Sequence, residues 1–340
     1  MLFNDPIRDP HAIADAITAN IDATAPGESI DVSAYLIDSA RIATALAHAD
    51  RRGVAVRVIL AGSRTRSSTS KALAKALNAE PGESRLIWSQ TAARGRDGTM
   101  HEKTIRFSRV GDVGWVTMTG SFNASDVADR VSYATMWQVT ERREIYDAFA
   151  VVAAQQRAQR TLSRPFRAYD GDGWSAYFLP SGPMRPDEDP VLARLSRIPA
   201  EPSSEVKIAM FSMWDERGIR IAERLAEMSR GGARVTFVAG PTVSSGVLDT
   251  IRDGGVHVLS GCFADGRYAH GKDMSATYVA RGERVFWTWI GSDNWTSRGM
   301  ESDQAVLGVS GAGYRRFGRA FSLLTARDDG VFGRACVPRT

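Results

Sequence analysis

The chain carries the same order of sequence features in its two halves, and this duplication constrains the fold more than any other property. Each half starts near an aromatic pair and continues with an amphipathic helical stretch, and apolar runs then alternate with helical stretches. Strand, helix and strand in this order predict a right-handed crossover and a parallel sheet. We therefore predict an α/β protein of two similar units, residues 1–170 and 171–340, joined through the Pro-, Gly- and Asp-rich segment 164–189.

The two halves align element by element when apolar periodicity is used to assign helices and strands. The predicted helices are residues 11–23, 40–52 and 70–78 in the first half and 190–198, 219–230 and 244–253 in the second. The predicted strands are 30–37, 54–60, 85–88, 103–108 and 113–119, then 206–213, 234–238, 256–259, 273–279 and 284–290. Each half is thus expected to form a mixed, mostly parallel sheet that is flanked by helices.

Composition excludes several classes of protein. With 43% hydrophobic and 24% charged residues, the chain is ordinary globular protein and not a disordered, collagen-like or disulfide-dense one. Its two cysteines, Cys262 and Cys336, lack metal-site spacing and can pair or remain thiols. We expect no transmembrane helix and no signal peptide, because no apolar run is long enough and the start lacks a basic and apolar leader. The net charge of +4 mildly favours anionic partners.

Two short motifs occur at equivalent points of both halves. His-x-Lys occupies residues 101–103 and 270–272, and Gly-Ser-x-Asn occupies residues 120–123 and 291–294. The chain has five histidines and, among its 43 basic residues, five lysines. A single chance His-x-Lys then has a probability of about 0.1, and two at equivalent repeat positions are far rarer. The duplicated motifs therefore indicate a functional site.

The spacing within the motifs predicts which side chains meet. Side chains at positions i and i+2 of a strand share a face, so His101 projects with Lys103, and His270 with Lys272. The same spacing joins the serine and asparagine of each second motif, which are Ser121 with Asn123 and Ser292 with Asn294. If the two halves face each other, two imidazoles, two ammonium groups and two amides converge. Such a site suits a phosphate group, with a nucleophile on one side and a proton donor on the other. We expect no metal and no cofactor, since the lysines would repel a cation.

These motifs resemble those of the phospholipase D superfamily, the HKD phosphodiesterases, and the resemblance covers essentially the whole chain as two repeats. The chain is similar to the bacterial single-chain members of this family. This similarity implies two pseudo-symmetric phospholipase D-like repeats with the active site at their interface. The resemblance also implies a covalent phosphohistidine. His101 is then the nucleophile and His270 the general acid. The groups that hold the non-bridging oxygens are Lys103, Lys272, Asn123 and Asn294, with Ser121 and Ser292 supporting substrate binding.

The sequence departs from the family pattern at two points. The Asp that follows each His-x-Lys by five residues is replaced by Ser108 and Thr277. A carboxylate that orients a histidine is expected downstream of Gly-Ser-x-Asn, and Asp303 aligns there, with Glu301 as the competing carboxylate. The first repeat has Tyr133 at the matching place, which predicts two electrostatically unequal histidines.

Three further residues are candidate substrate contacts. Trp295 follows Asn294 directly, and either lines the substrate entrance or packs into the core. Arg94 and Arg96 lie in the Gly- and Arg-containing segment before His101, which is expected to form an anion-facing rim.

The expected function is metal-independent phosphodiester hydrolysis or transfer. The resemblance to bacterial phospholipases D favours a phospholipid, which would be cleaved to phosphatidic acid or transferred to an alcohol. The arginine-rich, basic composition leaves a nuclease open, and the missing motif Asp residues leave open a catalytically weak phosphate-binding protein. We expect a monomer whose repeats form an intramolecular pseudo-dimer. The compartment stays open, with secretion favoured over the cytoplasm.

Overall fold

The computed structural model describes residues 1–62, 66–181, 188–311 and 313–327, and two mixed eight-stranded sheets form its framework. The strands are β1 (Leu2–Asn4), β2 (Ser29–Ala34), β3 (Ala55–Ala61), β4 (Arg85–Ser89), β5 (Lys103–Val110), β6 (Val113–Gly120), β7 (Ser132–Val139), β8 (Arg167–Gly171), β9 (Trp174–Leu179), β10 (Glu205–Met213), β11 (Arg234–Val243), β12 (His257–Ser260), β13 (Tyr268–Ala269), β14 (Lys272–Ala280), β15 (Glu283–Gly291) and β16 (Gln304–Ser310). The helices are α1 (Ala12–Asp22), α2 (Ala40–Arg51), α3 (Ser68–Leu77), α4 (Asp126–Val131), α5 (Arg143–Arg157), α6 (Pro190–Ser196), α7 (Asp215–Arg230), α8 (Ser245–Asp253), α9 (Ser297–Glu301) and α10 (Gly313–Thr325). The predicted α/β fold of two repeats is confirmed.

The two sheets share one topology. The first has the order β4-β3-β2-β5-β6-β7-β1, with β13 of the second repeat added beside β7. The second has the order β12-β11-β10-β14-β15-β16-β9-β8. Parallel pairing within a repeat is limited to β2, β3 and β4 and to β10, β11 and β12. The sheets are therefore less parallel than predicted, because the chain returns through short hairpins after each His-x-Lys motif, and short hairpins join antiparallel strands.

Three helices cover the outer face of each sheet. Helices α1, α2 and α3 pack on the first sheet, and α6, α7 and α8 pack on the second. In α7 the buried apolar residues Ile221, Leu225 and Met228 recur at helical spacing, so one face of the helix points to the sheet while Glu223 and Glu227 are exposed. Sheets flanked by amphipathic helices are the arrangement that the sequence predicted.

Two helices that the sequence analysis did not predict lie between the repeats. Helix α5 of the first repeat packs on β9 and β16 of the second, where the rings of Phe149 and Phe178 meet edge to face at a centroid distance of 4.7 Å. Helix α10 places Phe317 and Phe321 in one cluster with Tyr133 of the first repeat. These contacts join the repeats through apolar side chains.

The connection between the repeats precedes the predicted boundary by a few residues. Strand β8 already pairs with β9 in the second sheet from Arg167 onward, so the connection spans residues 158–166. Of the two cysteines, Cys262 is buried, and Cys336 lies outside the described residues. Among the described residues, none of the helices has both the length and the apolar character that crossing a membrane requires.

The contact between α5 and β9 predicts a large effect on stability. Phe149 is buried, and its truncation in Phe149→Ala leaves a cavity between the repeats, which we expect to lower the free energy of unfolding by about 3 to 5 kcal/mol. The matched control is Val151→Ala on the same helix, because Val151 is exposed and its truncation should cost less than about 0.5 kcal/mol. Urea denaturation measures both variants. Equal losses would contradict an α5 that packs between the repeats.

Candidate active site

Each motif histidine is held by the backbone of the opposite repeat. The amide of His101 donates to the carbonyl of Asp303 at 2.9 Å, and the amide of Asp303 donates to Thr99 at 2.9 Å. In the other half, the amide of His270 donates to the carbonyl of Tyr133 at 2.8 Å, beside the parallel pairing of β13 with β7. Each His-x-Lys segment therefore crosses to the strand that follows Gly-Ser-x-Asn in its partner repeat, and this reciprocal crossing brings the two histidines to the interface.

The two lysines begin strands β5 and β14, two residues after their histidines. Lys103 and Lys272 are buried, and their ammonium groups donate to the backbone carbonyls of His101 at 2.7 Å and of His270 at 2.9 Å. The ammonium of Lys272 also lies 3.0 Å from Nε2 of His270. Both lysines are thus anchored by their own motif.

The four groups influence one another electrostatically. Burial holds the pKa of His101 well below its usual range, and the charges of Lys103 and Lys272 lower it further. Burial also depresses the pKa of His270, with added effects from Lys272, Lys103 and His101. Burial lowers the pKa of both lysines as well. The site therefore brings together four groups whose protonated forms are disfavoured by burial and would be stabilised by a bound anion.

The asparagines of Gly-Ser-x-Asn follow β6 and β15. Asn123 and Asn294 are half-buried, and their Oδ1 atoms are buried without a hydrogen bond among the described residues. The backbone amide of Asn294 donates to Gln304, which also contacts His101. No group of three or more His, Cys, Asp or Glu side chains in the described ranges is placed to hold a metal ion.

Gln304, which the sequence analysis missed, orients His101. Its Nε2 donates to Asp293 at 3.3 Å and to the carbonyl of Gly299 at 2.8 Å, so its Oε1 must face the imidazole. Nδ1 of His101 lies 3.0 Å from this oxygen and must carry the proton. The lone pair of His101 is therefore on Nε2.

Each imidazole bonds to the backbone of a motif serine, Ser292 for His101 and Ser121 for His270, and the two differ in their side-chain partners. Nδ1 of His270 lies 2.9 Å from the backbone carbonyl of Ser121 and also carries its proton. The residue equivalent to Gln304 in the first repeat is Ala134, because Ser121 and Ser292 bond to Thr135 and Ala305 respectively. An alanine cannot orient a ring by a hydrogen bond, so the predicted inequality of the histidines comes from Gln304 and Ala134.

Asp303 does not orient a histidine through its side chain. Its carboxylate is buried, pairs with Arg94 at 3.1 Å and accepts from the amide of Ala93. Arg94 is buried too, and it donates to the carbonyls of Pro165 and Leu179. The predictions of Asp303 as a catalytic group and of Arg94 as a substrate contact are both wrong, because each satisfies the charge of the other inside the protein. Glu301 is exposed, and the structure shows no contact of its side chain with either imidazole.

Three other predicted contacts occupy structural positions. The hydroxyls of Ser121 and Ser292 are buried and bonded to the backbones of Thr135 and Ala305, so they brace neighbouring strands and do not face a substrate. Trp295 is 2% exposed and packs in the core of the second repeat, which excludes it from the entrance.

The remaining predicted residues are placed as follows. Arg96 is exposed, and the structure shows no contact between its side chain and the imidazoles. The hydroxyl of Tyr133 accepts from Arg327 at 2.8 Å, so only its backbone serves His270. The residues at the missing Asp positions are also structural, since Ser108 donates to Glu28 at 2.6 Å and Thr277 accepts weakly from Arg284.

An aromatic ring flanks each imidazole, which the sequence analysis also missed. Tyr35 lies 5.2 Å from His101 between ring centroids, and Phe211 lies 4.5 Å from His270. Tyr35 directly follows β2, and Phe211 occupies the equivalent position within β10. Each ring also lies against the ammonium group of the neighbouring motif lysine. Their equivalence in the aligned repeats is the signal that could have identified them.

Comparisons with known proteins agree with this architecture. The family model described as "Cardiolipin synthase, PLD-like domain" matches residues 17–155. A phosphatidylserine synthase from Haemophilus influenzae Rd KW20 has a similar structure, with a TM-score of 0.62 at 12% identity over 94% of this chain and 84% of that chain. A polyphosphate kinase from Porphyromonas gingivalis also gives a TM-score of 0.62, at 14% identity over 93% of this chain. The present chain spans 49% of that kinase, and no curated protein matches it.

The two sheets with their duplicated motifs define a two-repeat protein with a phosphodiesterase-like fold. Residues 17–155 therefore match a PLD-like domain, as the resemblance to the phospholipase D superfamily predicts.

The contact between Lys272 and His270 predicts a pKa change. Lys272→Met removes the positive charge beside Nε2, so the pKa of His270 should rise, while burial keeps it below the ordinary value of about 6.5. Histidine-selective NMR titration measures the change. The control is Lys207→Met, since Lys207 pairs with Glu205 away from the site and should leave His270 unchanged. An unchanged or lower pKa in Lys272→Met would contradict the electrostatic role of this lysine.

Proposed function

We propose that the protein is a metal-independent phosphodiesterase that forms a covalent phosphohistidine on His101 and acts on a phospholipid. The observation that carries the proposal is the convergence of two Nδ1-protonated imidazoles and two buried lysines at the interface. In the described part of the chain, no carboxylate bonds to either motif imidazole. The groups that face a substrate are then cationic or neutral donors, which suits a phosphodiester anion.

The hydrogen bonds favour His101 as the nucleophile. Its Nδ1 lies 3.0 Å from Oε1 of Gln304, and its ring also has a hydrogen bond with the backbone of Ser292. Nε2 of His270 is instead engaged by the ammonium of Lys272. A lone pair that already accepts a hydrogen bond is a weaker nucleophile. We therefore assign the attack on phosphorus to His101 and the acid and base role to His270.

The reaction then proceeds in two displacements. Nε2 of His101 attacks phosphorus while the bond from phosphorus to the leaving oxygen breaks, and His270 gives its Nε2 proton to that oxygen. Neutral His270 next takes a proton from water or an alcohol. The oxygen of that molecule attacks phosphorus, and the nitrogen–phosphorus bond breaks to restore His101. The non-bridging oxygens are held by Lys103, Lys272, Asn123 and Asn294. The histidine protons thus return to their starting positions after each turnover.

The surroundings of the imidazoles favour a phospholipid over a nucleic acid. Tyr35, Phe211 and Tyr268 lie beside the two rings, and Trp214, which directly follows β10, is 41% exposed. Arg94 is held inside by Asp303, so it does not contribute to a basic rim. Aromatic and apolar groups at the mouth of a site suit a lipid interface, whereas nucleic acid requires a continuous basic groove. The net charge of +4 keeps a nuclease as the second candidate.

His101→Ala should abolish turnover without unfolding the protein. We expect activity to fall by about 10³-fold or more because no other group replaces the nucleophile, and the thermal midpoint to stay within a few degrees. The assay measures choline release from phosphatidylcholine vesicles beside degradation of plasmid and single-stranded DNA.

The unaltered protein is also tested on a soluble phosphodiester in excess EDTA, where its rate should be unchanged.

The control for this assay is His48→Ala, because His48 is an exposed histidine on α2 and its loss should leave the rate unchanged. Retention of a tenth of the activity in His101→Ala would remove this residue from the mechanism. DNA degradation with steep salt dependence and without choline release would identify a nuclease instead. Turnover of none of the substrates would identify a phosphate-binding protein.

The pH dependence should differ between kcat/KM and kcat. Protonated His270 is needed for the first step, and its pKa in the free protein is depressed by burial and the neighbouring cations. The kcat/KM profile reports the free enzyme. The midpoint of its basic limb should therefore lie below a pH of about 6.5. A bound phosphodiester anion favours the protonated imidazole and raises this pKa, so the basic limb of kcat should lie at higher pH. Profiles on a soluble phosphodiester test this order, and coincident limbs would contradict it.

A further inference from the structure

A row of charged side chains crosses the first sheet on the face opposite to α1, α2 and α3. Asp31 on β2 pairs in register with Arg106 on β5 and with Arg57 on β3, and Arg57 pairs in turn with Arg85 on the edge strand β4. Directly paired residues project from the same face of a sheet. Their apolar neighbours along each strand belong to the core under the three helices, so these four side chains lie on the other face. Together with Arg157 of α5, they form the arginine row.

The carboxylate of Asp31 is already saturated with hydrogen bonds. Its Oδ1 accepts from Arg57 and from Arg157, both at 2.8 Å. Its Oδ2 accepts from Arg106 at 2.8 Å and from Arg57 at 3.3 Å. A carboxylate has about four lone-pair positions, so Asp31 cannot accept further bonds. Three guanidinium groups therefore share one negative charge.

The other carboxylate beside the arginine row does not neutralise it. The side chain of Glu83 is 79% exposed and lies 3.3 Å from Nη1 of Arg57, so solvent screens this pair. Burial lowers the pKa of Arg157, and the charges of Arg57 and Arg106 lower it further, while Asp31 opposes them. Four arginines thus face two carboxylates, and the row keeps an excess of positive charge.

The arginine row is separate from the catalytic groups. Along β5, Arg106 lies three residues beyond Lys103, which is ~10 Å on a strand. Glu102, the carboxylate nearer to the active site, accepts a hydrogen bond from Gln156 at 2.6 Å. Among the described residues, no arginine of the row bonds to Glu102. The excess charge of the row is therefore not balanced from the side of the active site.

Three arginines of the row can be reached from solvent. The side chain of Arg157 is 31% exposed, that of Arg57 is 26% exposed, and Arg85 is exposed. Arg57 and Arg157 share Oδ1 of Asp31, so their guanidinium groups lie side by side. Arg106 is 3% exposed, so it contributes charge and no accessible donor.

We propose that the arginine row binds a small anion that carries phosphate groups and has about the size of diphosphate. Guanidinium groups bind phosphate oxygens through charge-assisted, often bidentate hydrogen bonds, and phosphate offers more acceptor oxygens than a carboxylate. The accessible arginines lie on α5, β3 and β4, and neighbouring strands are ~4.8 Å apart. Because β4 is the edge of the sheet and Glu83 lies beside Arg57, the row favours a short anion over a long polyanion.

Isothermal titration calorimetry with diphosphate at low ionic strength tests the proposal on the full chain. Arg157→Met removes an accessible donor and should raise the Kd of diphosphate at least ten-fold. Acetate, which has one charge and two oxygens, should bind the unaltered protein at least ten-fold more weakly than diphosphate. The matched control is Arg143→Met, because Arg143 is exposed on the same helix and pairs with Asp147, so the Kd should change less than three-fold.

The active site can also attract diphosphate, so the titration is repeated on Lys272→Met. The Kd of the site that is lost in Arg157→Met should change less than three-fold in this variant. Arg85→Met should raise the same Kd at least three-fold, and it decides the question if a thermal melt shows that Arg157→Met does not fold.

The proposal is overturned if diphosphate does not bind, or if acetate binds as tightly. It is also overturned if the folded Arg157 and Arg85 variants bind diphosphate like the unaltered protein, or if only Lys272→Met weakens binding. Single-stranded DNA that binds through Arg157 where diphosphate does not would identify a polymer as the occupant and overturn the proposal too. Because the readout is binding, the result does not depend on the proposed catalytic activity.

Discussion

The active site depends on two reciprocal backbone hydrogen bonds, from His101 to Asp303 and from His270 to Tyr133. Each bond ties the segment before one motif to the strand that follows the other repeat's Gly-Ser-x-Asn. Neither repeat therefore has a complete site alone. Helices α5 and α10 reinforce this arrangement, since their phenylalanines fill the space between the sheets and exclude water from the interface.

The exclusion of water explains the electrostatics of the site. Charged forms are disfavoured in a buried environment, so the imidazoles and ammonium groups all have depressed pKa values. The adjacent carboxylates offset the depressed lysine pKa values only in part, Glu102 for Lys103 and Asp273 for Lys272, and they bond to Gln156 and Thr135 respectively. Burial raises the pKa of the Glu102 carboxyl, and it raises the pKa of Asp273 to about 7. A phosphodiester anion would stabilise the protonated cations, which couples substrate binding to proton uptake.

The repeats have diverged most clearly around the histidine partners. In the second repeat, Arg217 and two aspartates form a buried ionic cluster, and Asp293 of this cluster fixes the amide of Gln304. The first repeat has the apolar residues Phe122 and Ala134 at the positions equivalent to Asp293 and Gln304. A charged network in one half and an apolar core in the other thus give two histidines of common origin different surroundings. Different surroundings allow the same side chain to serve as nucleophile or as acid.

The sequence by itself determined the duplication, the α/β class and the pairing of each histidine with its lysine. These follow from local spacing, because the two-residue period of a strand fixes which side chains share a face. Tertiary structure decided the partners. Asp303 meets Arg94 across 209 positions of sequence, and Gln304, one residue further along, reaches His101. The burial of Trp295 and the placement of α5 between the sheets were decided in the same way. Such contacts depend on how two distant segments approach each other. On a strand, a shift of register by one residue turns the side chain that faces the site to the opposite face.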